Sequence, residues 1–190
     1  LARHTRLVTD ARNLMSRSGD AFALILDPTP AGFHLANLLL NQIPELAETH
    51  ARVRGTGARV LAGGVVTSEE LSQLQAIVDL AAERQSHVAR VYELLRAQDA
   101  AVAARIETHG AKVAAAQRAV TESVAGMRSG TIPSAQDFFR LATEPVDGSF
   151  ELSKVGTDAL NVMLNVRLRH NLVVVVVTII FGVGSILAAL

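Results

Sequence analysis

The stretch TSEELSQLQAIVDLAAERQSHVARVYELLRAQDAAVAARI, residues 67–106, carries the strongest structural pattern in the chain. Its positions at alternating steps of three and four are mostly apolar: Leu71, Leu74, Val78, Ala81, Gln85, Val88, Tyr92, Leu95, Asp99, Val102 and Ile106. This period places one stripe along a helix and is typical of coiled-coil-like packing. Thr67 and Glu70 form a capping-box pattern, which favours a helix N-terminus. We therefore expect one long helix here, packed against neighbouring helices.

Helical spacing continues on both sides of this stretch. It predicts helices over residues 4–22, 33–61 and 112–127, and His109-Gly110 is expected either to dent the long helix or to end it. Breaks are expected at LILDPTPAG, residues 24–32, at Gly63-Gly64 and at SGTIPS, residues 129–134, because Gly and Pro interrupt helices. Pro44 is expected to kink the second helix. The spacing then predicts a short helix over 135–143, a turn over residues 144–148 and a last helix from about Ser149.

The last helix leads without a breaker into LVVVVVTIIFGVGSILAAL, residues 172–190, which contains no charged residue. At about 1.5 Å per residue this segment covers roughly 28 Å, close to the hydrocarbon thickness of a bilayer. The predicted fold is all-α: an elongated antiparallel helical bundle with long coiled-coil-like helices, its last helix continuing into a transmembrane span. The predicted organisation is a bundle over residues 1–171 and a transmembrane helix over 172–190. Because the chain starts at Leu1 and stops inside the apolar run, we expect both parts to be pieces of a longer protein.

Composition excludes several classes of site. Lys+Arg and Asp+Glu both number 18, so the composition shows no excess of basic residues. A nucleic-acid partner would need a basic surface and is therefore not predicted. The chain has no Cys, which excludes disulfides and thiolate metal sites. None of the six histidines forms an HxxxH or HExxH pair, and GxSxG, Walker A and GxGxxG motifs are absent. The sequence therefore predicts no catalytic, cofactor-binding or metal-binding residue, and no enzyme within these residues.

Three features are candidates for contact with a ligand or for conformational coupling. They are the turn at Asp27 with Phe33 and His34 beyond it, the basic pair Arg52 and Arg54 beside Gly55 and Gly57, and the polar interruptions Gln85 and Asp99 of the apolar stripe. An ordinary structural role, as a cap, a turn, a solvated helix end or a register-setting residue, is favoured for each of them. Nothing in the sequence selects the chemistry of a small-molecule ligand.

Residues 24–62, LILDPTPAGFHLANLLLNQIPELAETHARVRGTGARVLA, resemble a segment of the helical extracytoplasmic sensor regions of bacterial transmembrane receptors. These receptors include methyl-accepting chemotaxis proteins and related diguanylate cyclases and histidine kinases. The family pattern is L-I-L-D-P, an aromatic pair, L-P-E-L and R-G-x-G. Leu24 to Pro28, Ile43 to Leu46, and Arg54, Gly55 and Gly57 correspond to it, while Phe33-His34 departs from the aromatic pair. Leu164, Arg167, Leu168 and Arg169, which lead into the apolar run, resemble the entry into a second transmembrane helix.

The resemblance implies a sensory module in the bacterial inner membrane, with the residues before the span in the periplasm and a homodimeric assembly. Arg167 and Arg169 would by themselves favour a cytoplasmic side, but a long domain can be translocated regardless of such charges. The implied function is passage of a conformational signal through the C-terminal helix, in chemotaxis or related signal transduction. The alternative from another class is a tail-anchored structural protein that holds a partner at the membrane.

Overall fold

The computed structural model describes residues 2–21 and 29–189, and these are almost entirely helical, without a strand. The elements are α1 (Ala2–Ala21), α2 (Pro30–Asn37), a π-helical segment (Leu38–Gln42), α3 (Ile43–Ala62), α4 (Ser68–Gln98), α5 (Ala100–Arg128) and α6 (Ala135–Ala189). The helices predicted at residues 4–22 and 33–61 are confirmed within a few residues over the described part of the chain. The helix predicted at 112–127 is the second half of α5, which begins at Ala100 and continues as helix through His109-Gly110. The all-α prediction is therefore confirmed.

Four antiparallel helical arms form a bundle in which consecutive arms are neighbours. The first arm is α2, the π-helical segment and α3, and the others are α4, α5 and α6; α6 closes the bundle against α3. Ion pairs and ring contacts fix the antiparallel directions. Arg59 lies near Glu70 and Arg84 near Glu45 across α3 and α4. The chain in this part is therefore an up-down-up-down bundle.

The expectation of one helix over residues 67–106 is wrong at Asp99. The capping box of Thr67 and Glu70 begins α4 as predicted, but α4 ends at Gln98 and the chain reverses. Asp99 is extended (φ −150°, ψ 90°), and its carboxylate accepts a hydrogen bond of 3.0 Å from the Val102 backbone N–H at the start of α5. The apolar stripe is buried on both sides of this reversal, so the periodicity predicted the buried face correctly while missing the hairpin.

Two of the predicted breaks are confirmed. Gly64 follows the end of α3 with a φ of +79°, a conformation that glycine adopts at little cost. Residues 129–134 separate α5 from α6, and the Ser134 hydroxyl caps α6 by accepting from the Asp137 N–H at 3.0 Å. Pro44 lies two residues after the last residue of the π-helical segment, which ends where the Ile43 N–H bonds to the Leu38 carbonyl. This widened turn is the local distortion expected beside a proline that lacks an N–H.

The turn predicted at residues 144–148 is wrong, because α6 runs unbroken through Pro145. An internal proline costs a helix about 3 kcal/mol. Here the buried stripe of Phe138, Ala142, Val146 and Leu152 continues across it and packs on α3 and α5. We infer that tertiary packing outweighs the local preference. The short helix of 135–143 and the predicted last helix are therefore one element.

Beyond the bundle, α6 extends as an apolar helix whose residues 172–181 are all exposed. Leu172 is 56% exposed and Phe181 is 72% exposed. Among the described residues, α6 is the one helix long and apolar enough to cross a membrane by length and composition.

Candidate functional site

A layer of polar side chains divides the core of the bundle in two. One apolar cluster is built around Leu46, Tyr92 and Leu152, and the other around Val53, Val78 and Phe138. Between them lie His50 on α3, Gln117 on α5 and Ser149 on α6, which are 1%, 4% and 0% exposed. Burying these polar groups costs free energy unless each of them has a hydrogen-bond partner.

The His50 ring is held against α6 by Ser149. The Ser149 hydroxyl donates its proton to the Pro145 carbonyl at 2.7 Å, and His50 Nδ1 lies 3.2 Å from the same Ser149 oxygen. Because the hydroxyl has a single proton and that proton is used, Nδ1 must donate to the hydroxyl oxygen. This assigns the neutral tautomer with hydrogen on Nδ1 and leaves Nε2 as an acceptor.

Two acceptors are left unpaired in this layer. His50 Nε2 and Gln117 Oε1 are both buried and have no hydrogen-bond partner within residues 2–21 and 29–189. Burial lowers the pKa of His50 from its ordinary 6.5 to about 4, because the imidazolium would lose its hydration in the core. The Pro145 carbonyl and the Gln117 side chain act in the opposite direction, because both can accept from the charged ring. At neutral pH the His50 ring is uncharged. A proton added to the ring would have the Gln117 side chain as a hydrogen-bond acceptor.

The predicted Arg54 and Gly57 lie on the same face of α3 and contact the start of α6. Gly57 is buried against the Phe138 ring, so that a β carbon at residue 57 would lie 2.6 Å from Phe138 Cζ. The Arg54 guanidinium lies 4.9 Å from the centre of the Phe139 ring and 3.4 Å from the Thr143 hydroxyl. These residues therefore join α3 to the helix that leaves the bundle.

The predicted site residues do not converge on one place. Gly55 is exposed, and a β carbon there would meet no atom within 4 Å. Phe33 and His34 make an edge-to-face contact at 5.3 Å on α2. They are about 30 Å from Arg54 at the helical rise of roughly 1.5 Å per residue. Asp27 lies outside the described residues.

The two polar interruptions of the α4 stripe have different roles. Asp99 is the cap between α4 and α5, as described above. Tyr92 of α4 packs over Gly110 of α5. Because the two helices are antiparallel, Gln85, seven residues before Tyr92, lies level with Gln117, seven residues after Gly110. Gln85 Oε1 is also buried without a partner in the described part of the chain. Gln85 therefore belongs to the same level of the bundle as the polar layer.

The sequence patterns did not single out His50, Ser149 or Gln117 as members of a candidate site. A signal for His50 was present, because a histidine on a buried stripe must find a partner. The partner lies on a helix 99 residues away in sequence. No pattern within one helix identifies such a pair, since the pairing depends on how α3 and α6 align.

The described residues contain no group of three or more His, Cys, Asp or Glu that could hold a metal ion. The chain matches no protein-family model, no curated protein and no solved structure.

Proposed function

We propose that this chain is the sensory and transducing module of a bacterial membrane receptor, passing a conformational change from its bundle through α6 into the membrane. The proposal includes insertion of residues 172–190 in the inner membrane, a periplasmic bundle and a homodimeric receptor. It follows the resemblance described above and leaves the signalling output to other parts of the receptor.

The observation that carries the proposal is the continuity of α6. This helix of 55 residues contributes Phe138 to one core cluster and Leu152 to the other, and then becomes the exposed apolar helix. At about 1.5 Å per residue it is roughly 80 Å long. A continuous helix has no flexible joint at which a displacement of its bundle half would be absorbed, and small shifts of packed helices are a common switching mode.

The polar layer gives the bundle a place at which its packing can change. His50 and Ser149 join α3 to α6 by one hydrogen bond. Gln117 of α5 lies in the same layer, and its Oε1 has no partner among the described residues. Apolar clusters lie on both sides of this layer. A core packed only with apolar side chains would resist rearrangement at this level more strongly. The contact between α3 and α6 is therefore the element that we expect a stimulus to alter.

The test uses a fluorescent reporter at the far end of α6. The chain has no Trp, so Phe181→Trp supplies a single indole in the apolar helix. In vesicles that contain lipids brominated at different depths, quenching gives the depth of this indole. The perturbation is Gly57→Ala, which pushes on Phe138, and the matched control is Gly55→Ala, which adds the same methyl group to an open surface.

We expect Gly57→Ala to move the indole by about 1–2 Å, the scale of helix shifts in switching proteins. Gly55→Ala should leave its depth unchanged, and both variants should keep the helical content measured by circular dichroism. An indole that is quenched at bilayer depth but does not respond to Gly57→Ala would favour the tail-anchored structural alternative. An indole that no lipid quenches would overturn membrane insertion itself.

The homodimer is tested separately. Because the chain has no Cys, Phe150→Cys provides a single thiol on an exposed position of α6, 64% exposed in the single chain. Sedimentation equilibrium in detergent should give twice the mass of one chain. A monomer at all concentrations would remove the dimer from the proposal. The cysteine supplies a second measurement, which is disulfide crosslinking between two chains in membranes.

A further inference from the structure

The first helix, α1, has an apolar face that the bundle leaves uncovered. Gly19 is buried against the Leu40 side chain, whereas the other α1 side chains that the structure describes are exposed. Leu7 and Leu14 lie seven residues apart on one face and are 69% and 67% exposed. A helix of this length is marginal in water unless such a face is packed. We infer that α1 packs on the outer face of α6 of a second copy of this chain, in two reciprocal contacts.

The outer face of α6 has a matching apolar stripe. Phe139 and Phe150 are 47% and 64% exposed and lie eleven residues apart, close to three helical turns. Leu168 lies five turns beyond Phe150 on the same face and is 60% exposed. Large apolar side chains that share one exposed face mark a surface for another protein segment.

The charges beside the two stripes are opposite in sign, and this selects the pairing. The exposed charged residues beside the α1 stripe are Arg6, Asp10 and Arg17, and those beside the α6 stripe are Asp147, Glu151, Lys154 and Asp158. The first set is net positive and the second is net negative. Packing α1 on α6 therefore brings opposite charges together, whereas α1 on α1 or α6 on α6 would bring like charges together.

The level at which α1 is attached to the bundle brings the two stripes within reach. Gly19 lies against the π-helical segment, whose Leu39 contacts Gly156 of α6. Leu14 is at most about 8 Å along the bundle from this level, and Phe150 is about 9 Å from Gly156. A two-fold axis parallel to α6 keeps every residue at its level, so these side chains lie close enough to meet across the two copies.

The area of the two contacts is sufficient for a specific dimer. Each contact between helices about 30 Å long and 10 Å wide buries area on both chains, and the pair buries roughly 1,200 Å² in total. Specific interfaces begin at about this size. The inference rests on the homodimer of the proposed function and adds to it the surface through which the chains associate.

The test is crosslinking between two single-cysteine variants of the full chain in neutral detergent. The chain has no Cys, so Leu14→Cys and Phe150→Cys each introduce one thiol. An isotope label on one variant lets mass spectrometry distinguish crosslinked pairs of unlike chains from pairs of like chains. With a short bismaleimide we expect at least tenfold more unlike than like pairs. Leu94→Cys replaces Phe150→Cys in the control, because Leu94 is 48% exposed on α4, and it should not crosslink to Leu14→Cys above background.

The other arrangements give distinct results. Pairs of two Leu14→Cys chains in equal yield would place α1 on α1, and pairs of two Phe150→Cys chains in equal yield would place α6 on α6. Either result would overturn the pairing while leaving the dimer in place. Crosslinking within one chain of the double variant, diluted in an excess of cysteine-free chain, would also overturn it. A monomer in sedimentation equilibrium would remove the dimer itself, so the two proposals fail in different measurements.

Charge reversal gives an independent test of the pairing. Arg6→Glu combined with Arg17→Glu should raise the dimer dissociation constant about tenfold at low salt, since attractive pairs become repulsive. Adding Asp147→Arg and Glu151→Arg to the same chain should restore the wild-type value. A dimer that the first pair of changes does not weaken, or that the second pair does not restore, would contradict the contact between α1 and α6. Circular dichroism of each variant verifies that the helices remain folded.

Discussion

Acidification should weaken the bundle through His50. Its pKa is about 4 in the folded chain and 6.5 when exposed, so the unfolded state takes up a proton more readily between these values. Stability is therefore fully present above pH 6.5 and is lost as the pH falls toward 4. A full difference of this size corresponds to about 3 kcal/mol, of which about 2 kcal/mol would be lost by pH 5.

The assay is guanidinium unfolding in neutral detergent at pH 7.5 and pH 5, followed by circular dichroism at 222 nm. Carboxylates also titrate over this interval, so the quantity to compare is the change in unfolding free energy between wild type and His50→Gln. The glutamine keeps a hydrogen-bonding side chain but does not titrate, and should reduce the loss by about 2 kcal/mol. His87→Gln replaces an exposed histidine of α4 and should behave as wild type. The same pH dependence in wild type and His50→Gln would refute the burial argument.

Two further perturbations test the packing and the hairpin. Gly57→Ala should lower the free energy of unfolding by about 1–2 kcal/mol, because its methyl group overlaps the Phe138 ring, whereas Gly55→Ala should raise it by about 0.5–1 kcal/mol through reduced backbone freedom. Equal effects of the two, measured by guanidinium unfolding, would contradict the close contact between α3 and α6. Asp99→Ala should cost about 1 kcal/mol because the bond to the Val102 N–H is lost, and Asp99→Gly only a few tenths. An unchanged thermal midpoint in Asp99→Ala would show that the cap contributes nothing.

The buried faces of the helices could be predicted from the sequence, while the direction of the chain at two points could not. The stripe through Leu74, Val78 and Leu95 is buried as its period indicated. The reversal at Asp99 carries no Gly or Pro, and an aspartate that caps a helix looks in sequence like one on a solvated face. Pro145 gave the opposite error, a turn predicted where the helix continues. The local preference of proline was outweighed by packing against α3 and α5, which the sequence around it does not show.

The sequence predicted members of the candidate site only where a residue type is unusual for its position in a helix. Arg54 and Gly57 stood out as a charged residue and a glycine within a helix, and both contact α6. The pair of His50 and Ser149 depends on the alignment of distant helices, which a period of 3.6 residues does not encode. Local pattern thus predicted which face of α3 matters, but not which side chains meet there.

The glycines of the bundle also restrict the kind of motion that α6 can make. Phe138 of α6 sits in the notch at Gly57, and Leu39 of the π-helical segment sits in a notch of α6 at Gly156, where a β carbon would lie 2.6 Å from Leu39 Cδ2. One notch is on each helix, and the two lie near opposite ends of the shared contact. A piston movement of α6 along α3 would drive both side chains out of their notches and over helix backbone at the same time. Rotation or tilting about these two contacts disturbs them less, so the bundle favours turning or tilting its output helix over sliding it, and a tilt changes the depth of the far end of α6.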